Sequence, residues 1–589
     1  MTLPDPQARL GHPDCLGALL DRATVHWSRE VALIEANRDQ ENVRFTFEEF
    51  RAHALPLCGW LDQEGFAAGD RAAIILTNQS KWHLSAFAVF HRGGVLVPLD
   101  FKLSGAEHVA LLSHCRPRIV VVEWYLWRAM SSAEGFDALP VGAVLVTEAP
   151  ANAELPAPPH VAVHRWEDCR SETLPAGPVA RRREDVACIV YSSGTGGRPK
   201  GCQLTHGNYL SQLAALTQLH PLNPGHRYLS ILPTNHAIDF MVGFIGPYTC
   251  GAAVVHLRTL RPEFVKAAFP RYRITHLALV PMVLKNLAAG LHTRLDELPP
   301  VKRALFQALV GVNRVLSRGR PNPRLARRLL SQVHDAFGGH LEAMFVGGAY
   351  TEPDTLRFFH DLGIPVANGY GLTEAGTAIT LDRLSPPRPE TVGAPLPGIQ
   401  VEIREPDDDG VGEVAVKSEM VMRGYLDDPE LTAETIVDGW LLTGDLGRMD
   451  DGHLRLFGRR KNMIVTEGGK NVYPEDVEVA FEGIEAEEFC VFAAHFLWPG
   501  QGTGERLLLV ARRDAAPGAP TPSAADTAAF LRDIEARNRR LLDFKRVGGV
   551  LLWSDDFPRT ASMKVKRPVL ADEIRARFPS PDGAVETVA

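Results

Sequence analysis

A chain of 589 residues, 45% of them hydrophobic and 23% charged, has ample apolar material for a large core, and this composition excludes a disordered, collagenous or membrane-embedded protein. The formal charge of −8 argues against a general nucleic-acid binder, which would carry a basic face, so any anionic ligand must be held by local groups. The eight cysteines are scattered without a CxxC pair, a pattern that offers neither a zinc cluster nor a disulfide framework and fits a reducing cytoplasm.

The first thirty residues are broken by prolines and charges and hold no apolar core of signal-peptide length. No stretch reaches the roughly 18 uninterrupted apolar residues that span a bilayer. From residue 71 onward one pattern recurs: short apolar runs end in small or polar residues and give way to helical periodicity. RAAIILTNQS (71–80), VACIVYSSG (186–194), HLALVPM (276–282), LEAMFVGGA (341–349) and IPVANGYG (364–371) all have this form. The alternation predicts an α/β fold, mostly parallel sheet covered by helices, with ligands gathered at the carboxyl ends of the strands where these polar clusters fall. Segment 301–330 sets basic residues beside apolar ones at helical spacing. Two readings of it stay open: a helix packed on the body with a solvated basic face, or a peripheral contact with an anionic membrane. From about residue 392, brief alternating strands with glycine turns, as in GIQVEIREPDDDGVGEVAVKS, predict a small antiparallel β unit. After FGRRKN (457–462), RLLLVARR (506–513) and the helical DTAAFLRDIEARNRRLL (526–542) predict a separate α+β unit of about 130 residues.

The stretch richest in chemistry is YSSGTGGRPKG (191–201). Its glycines let backbone N–H groups converge on an anion, its hydroxyls add donors, and its lysine supplies a point charge at the end of a strand. A flexible connector has the same composition, so the stretch alone leaves both readings open. It departs from the Walker A pattern, since Pro199 precedes Lys200 and Gly201 follows it.

Followed by QLTHGN (203–208), this loop resembles the signature of the adenylate-forming superfamily: acyl-CoA and aryl-CoA synthetases, firefly luciferase, and the adenylation domains of nonribosomal peptide synthetases. Further segments resemble that family in its own order: LPTNH (232–236), GGA (347–349), NGYGLTE (368–374), DGWLLTGDLGR (438–448), GRRKNMIVTEGGKNVYPEDVE (458–478) and PRTASMKVKR (558–567). The resemblance implies a large N-terminal domain over 1–457, including a β-barrel-like unit at about 392–457, and a smaller mobile α+β domain over 458–589. It implies ATP-dependent activation of a carboxylic acid to an acyl-adenylate, then transfer to the thiol of CoA with release of AMP and pyrophosphate, Mg2+ assisting. MIVTEGGKNVYPEDVE and DGWLLTGDLGRMDDGHL are most similar to long-chain fatty acyl-CoA synthetases, which makes a medium- or long-chain fatty acid the expected substrate. A cytoplasmic place, or a peripheral one at the inner membrane face, is expected.

On this resemblance Ser192, Ser193, Gly194, Thr195, Gly196 and Gly197 hold the β- and γ-phosphates, and Lys200 braces the loop. Gly347, Gly348 and Ala349 form the adenine-side turn, and Asn368, Gly369, Tyr370 and Gly371 continue it, with Asn368 and Tyr370 flanking the base. Thr373 donates to the α-phosphate, Glu374 offers magnesium a hard oxygen, Asp445 accepts from both ribose hydroxyls, and Arg459 supplies a forked donor set. His236 gates the carboxylate pocket. Lys564 bridges the substrate carboxylate and the α-phosphate, while the neighbouring Lys566 and Arg567 read as surface charges. Lys461 occupies the hinge, and Gly468 and Gly469 line the pantetheine path. Plainer readings stand beside these: YGLTE as a helix cap, TGD as a turn, Arg459 as a surface ion pair, Tyr370 as sheet packing, His236 as a structural histidine. Gly196 and Met563 replace a threonine and a glycine usual in the family, which keeps a non-catalytic nucleotide-binding scaffold open as an alternative. A ligase loading a phosphopantetheinylated acyl carrier protein is another.

Overall fold

The computed structural model describes residues 6–169, 171–192, 200–317, 320–465, 471–499, 506–513, 524–559 and 565–588, and the elements below are those of the described residues. Two sheets form the body. In the first, six parallel strands lie in the order Val366–Tyr370, Ala343–Gly347, His276–Leu279, Arg227–Ser230, Ala253–Leu257 and Val31–Asn37. Antiparallel strands close both edges, Gln40–Thr46 on one side and Thr380–Leu381 with Ala394–Pro395 on the other. In the second, Val186–Ser192, Val95–Pro98, Arg71–Ile75, Ile119–Glu123, Ala143–Thr147 and Ala162–Arg165 are again parallel, edged by Lys200–Thr205 and Gly424–Tyr425. The α/β class read from the sequence is the one observed, and all five apolar runs quoted above are strands.

Successive side chains of a strand point to opposite faces, so a run apolar at every position serves two cores at once. Ala72 and Ile74 join the core shared by the two sheets, while Ala73 and Ile75 join the outer one. Leu33 and Ile34, and Val254 and Val255, divide in the same way in the first sheet. Helices Leu16–His26, Phe47–Gln63 and Ser80–His91 fill the shared core. The second of them starts at a capping box, Thr46 with Glu49. The third buries every residue but Lys81, so no amphipathic stripe marks it in the sequence. Among the described residues no helix is long and apolar enough to cross a membrane.

Gln400–Arg404, Gly412–Lys417, Ile436–Val437, Trp440–Asp450 and His453–Arg459 form an antiparallel five-stranded sheet, the β unit expected from its glycine turns. Beyond it, Glu488–Ala493, Leu507–Arg512, Val547–Trp553 and Val585–Thr587 form a four-stranded sheet with helices Ala524–Asn538 and Arg567–Arg577. Arg567, read as a surface charge, is instead largely buried: its guanidinium meets Glu478 Oε1 at 2.5 Å and donates to the Val491 carbonyl at 2.6 Å. A paired and hydrogen-bonded charge can be buried where a lone one cannot.

Among the described residues, this C-terminal part meets the body beside residue 461 and around Glu482. Next to residue 461, Tyr473 packs with Val411 and Leu446 of the five-stranded sheet, and its hydroxyl donates to Asp407 Oδ2 at 3.4 Å. Farther along, Glu482 faces Glu352, Lys285 and Asp354. Desolvation first, and then repulsion by Glu352, lifts Glu482 from 4.5 to about 7 against the pull of Lys285. A carboxyl raised in this way takes up a proton on docking, so its contribution is complete below 4.5 and is lost as the pH climbs through about 7. Glu482→Gln should therefore melt above the parent at about pH 8, by at most roughly 3 kcal/mol before solvent screening, with the gap closing towards acid. Identical melting curves across this range would remove the account.

Candidate active site

At the carboxyl end of Val366–Tyr370 the chain passes through Gly371 and Leu372 into the 3-10 turn Thr373–Ala375. A Cβ at Gly371 would run into the carbonyl oxygen of Thr377, so no other residue fits that bend. On the adjacent parallel strand Gly347 stands opposite Gly369, and Gly348, at φ +88°, turns the chain into Ala349. Gly348 and Ala349 are solvent-exposed. The two glycine-rich stretches of the sequence thus lie side by side at one rim.

Asp445 lies within Trp440–Asp450, directly across from Arg459 on His453–Arg459. Arg459 Nε stands 2.6 Å from Asp445 Oδ1, and the Tyr370 hydroxyl donates to Oδ2 at 2.6 Å. The TGD turn is locked from behind, since Thr443 Oγ1 donates to the Val414 carbonyl and accepts the Asp445 N–H, while the Gly444 N–H donates to Glu413. Burial, and then the Asp445 charge, push the Tyr370 phenol well above its usual range, so it remains a donor. Asp445 is only 6% exposed.

Glu374 forms a second knot. Its Oε1 accepts from the Tyr425 hydroxyl at 3.0 Å, and its carbonyl accepts the Met422 N–H at 2.8 Å. Tyr425 pairs with Cys202 at the sheet edge, and Lys200 Nζ stands 5.7 Å from the centre of its ring. Lys200 faces Ser192 across the hairpin. The QLTHGN stretch has a physical role here: Thr205 and Asn208 form the capping box that starts His206–Leu219, and Asn208 Nδ2 donates to the carbonyls of Glu419 and Val421 at 2.6 and 3.0 Å. Those bonds hold the segment that ends in Tyr425, a residue the sequence analysis did not single out. The two knots share one electrostatic field. Lys461, in the turn Arg460–Asn462, is held below its ordinary value by desolvation first and then by the charges of Arg459 and Lys200, although its side chain still reaches solvent.

Asn368 braces the strand end, donating to the Thr391 carbonyl at 3.0 Å and accepting from Thr351 at 3.2 Å. His236 precedes the short helix Ala237–Asp239, and Thr377 Oγ1 donates to the Ala237 carbonyl at 3.0 Å, which ties that helix to the turn beyond Glu374. Behind His236 a buried network escaped sequence reasoning: Asp239 accepts from Tyr228, Ser230 and Thr234, and Asn78 of the other sheet bonds Ser230, Leu232 and Thr234. Ser193, Gly194, Thr195, Gly196, Gly197, Gly468, Gly469 and Lys564 lie outside the described residues. Among those described, the cluster with metal-ligand spacing is His226, His276 and Glu342. It lies at the amino ends of the strands, whereas Glu374 lies at the carboxyl ends.

Residues 20–426 match the family of AMP-binding enzymes. The long-chain-fatty-acid–CoA ligase FadD15 of Mycobacterium bovis is 30% identical over 449 residues, 73% of this chain and 71% of that protein. A feruloyl-CoA synthase of an Amycolatopsis species is 28% identical over 455 residues, 76% of this chain and 79% of its own. Among solved structures, ATP-bound MatB from Rhodopseudomonas palustris is similar in fold, with a TM-score of 0.72 at 23% identity over 96% of this chain and all of that one.

Tyr370→Phe removes a donor that holds Asp445. A hydrogen bond to a charged group contributes about 1.5–3 kcal/mol, so ATP affinity should fall roughly tenfold to a hundredfold, read by titration calorimetry. Unchanged affinity would leave the bond a purely structural role.

Proposed function

This chain belongs to the family of AMP-binding enzymes and is an AMP-forming acid–thiol ligase, and on that premise we propose that it joins a medium- or long-chain fatty acid to CoA through an acyl-adenylate. The observation that carries the reading is the meeting at one rim of two fixed carboxylates, Asp445 and Glu374, with Lys200 and Arg459. The fatty-acid part is supported by the similarity to FadD15. It also rests on the segments 438–454 and 463–478 discussed above.

A carboxylate is a poor acyl donor because it is anionic and has no leaving group. Its attack on the α-phosphorus of ATP is opposed by the repulsion between an anion and a polyanion, so the protein's task is positioning and neutralisation. In this reading Asp445, held by Tyr370 and Arg459, accepts from the ribose hydroxyls. Gly347, Gly348 and Ala349 form the rim beside the adenine, with Asn368 and Tyr370 behind it. Ser192 through Gly197, braced by Lys200, take the β- and γ-phosphates, and Thr373 donates to the α-phosphate. Glu374 Oε2 takes no hydrogen bond among the described residues, and a carboxylate oxygen of this kind fits Mg2+, which when bound supplies positive charge to the polyphosphate. His236 stands at the acid's entrance.

The two half-reactions, attack of the carboxylate on the α-phosphorus with loss of pyrophosphate and then attack of a thiol on the acyl carbonyl with loss of AMP, need two sets of groups in turn. We assign 1–457 to nucleotide and acid binding and 458–589 to a domain that turns about Lys461. One orientation presents Lys564 to the acid and the α-phosphate, and the other presents Gly468 and Gly469 to pantetheine.

Pyrophosphate release, measured over straight-chain acids from acetate to stearate and over benzoates, with and without CoA, should be greatest with medium or long chains. Lys564→Ala should lower the first step by roughly a hundredfold or more. Parent-like adenylation by that variant would overturn the role of the lysine. Thioester formed only on a phosphopantetheinylated carrier, with none on free CoA, would replace CoA as acceptor.

A further inference from the structure

Helix Pro300–Leu316 presents apolar side chains on both faces. Inward, Phe306, Leu309 and Val310 pack on the outer core of the first sheet, and Asn313 Nδ2 donates to the Asp361 carbonyl at 2.9 Å. Arg314 forks onto the Asp361 carboxylate and fixes the helix further. At 3.6 residues per turn the opposite face carries Val301, Ala304, Leu305, Ala308, Val312 and Val315, with Leu316 at its end, and all of them are solvent-exposed. Val301 is 81% exposed, Val315 75%, Leu316 60% and Leu305 59%. Single exposed apolar residues are ordinary, but a continuous band about 25 Å long is not, since a surface helix normally turns its polar face outward. The solvated basic face weighed from the sequence does not describe this helix, because its charges lie on the flanks.

Along the sequence, the charge of this stretch is one-sided. Between Glu297 and Asp335 there is no acidic residue and there are eight lysines and arginines, in a chain whose net charge is −8. Lys302, Arg324 and Arg328 are exposed and make no ion pair among the described residues. An apolar band with a positive margin fits one occupant best, an anionic bilayer: apolar side chains enter the acyl boundary while lysine and arginine meet lipid phosphates. A second copy of this chain would set the same positive margin against itself across a two-fold contact.

We propose that helix Pro300–Leu316 and the basic segment after it dock this enzyme on an anionic membrane surface. The proposal deepens the fatty-acid reading and rests on it for its use, since a long-chain acid resides in the bilayer. The docking itself needs neither acid nor ATP.

Flotation of the full-length protein with vesicles of phosphatidylcholine alone, and with equal amounts of phosphatidylcholine and phosphatidylglycerol, tests it. The parent should bind the anionic vesicles and leave the neutral ones. Leu305→Glu with Val315→Glu should weaken binding roughly tenfold or more, and Lys302→Ala with Arg324→Ala and Arg328→Ala should remove the preference for anionic lipid. Both variants change only exposed side chains, so pyrophosphate release with a soluble short acid should be retained. Failure of the ligase reading would leave the vesicle result standing. Equal binding by parent and variants, or no binding by the parent, overturns the proposal. So does conversion of a dimeric parent to a monomer by the glutamate pair, which would assign the band to a second copy.

Discussion

A carboxylate taken out of water must be met by donors, or it is too costly to keep charged. This molecule buries several at the tips of its parallel strands, and their partners determine how the two sheets sit. Glu123 accepts from the N–H and hydroxyl of Thr77 and from Gln79; Glu35, on the other sheet, accepts the Ser80 N–H at 2.7 Å. Between them Asn78 bonds Ser230, Leu232 and Thr234 across the sheet boundary. One short connection after Arg71–Ile75 therefore satisfies polar groups of both sheets. The strand tips are pinned together, and the candidate site lies beside the pin.

The buried acids differ by the chemistry of their partners. Asp239 is met only by hydroxyls, and burial lifts it to about 6 despite those three bonds. It is a structural group, closed off on all sides. Asp445 is met by a phenol and by the guanidinium of Arg459, which is itself partly open to solvent. In the proposed reading, a carboxylate held by a cation beside solvent is the one that accepts an incoming hydroxyl, whereas Asp239 only packs.

What the sequence reveals follows from the range of the interactions involved. Strands buried on both faces appear as unbroken β-branched runs, so the sheets and their polar tips are legible locally. Helix Ser80–His91 is not, because a helix buried all round has no polar face to mark its period. Tyr425 meets Glu374 from 51 residues away, and Asn78 meets Ser230 from 152 away, pairings that no local spacing encodes. Arg567 looks like a surface charge until Glu478, 89 residues distant, is found beside it. In Pro300–Leu316 the apolar residues are legible, but which of two apolar faces turns inward is settled only by the sheet beneath.

A part that must present two faces in turn needs firm contact near its axis and weak contact away from it. Tyr473 with Val411 and Leu446, the Tyr473 to Asp407 bond, and the pairing of Arg460 with Glu413 at 2.5 Å all lie near Lys461. Away from it, Glu482 meets Glu352 and Asp354, a contact between like charges that Lys285 only partly offsets. Near the axis, apolar burial and charge pairing add. At the periphery a repulsive contact is readily exchanged for water or for a different face. In the proposed turn about Lys461, the like charges of Glu482, Glu352 and Asp354 favour release of this contact at a pH where Glu482 is ionised.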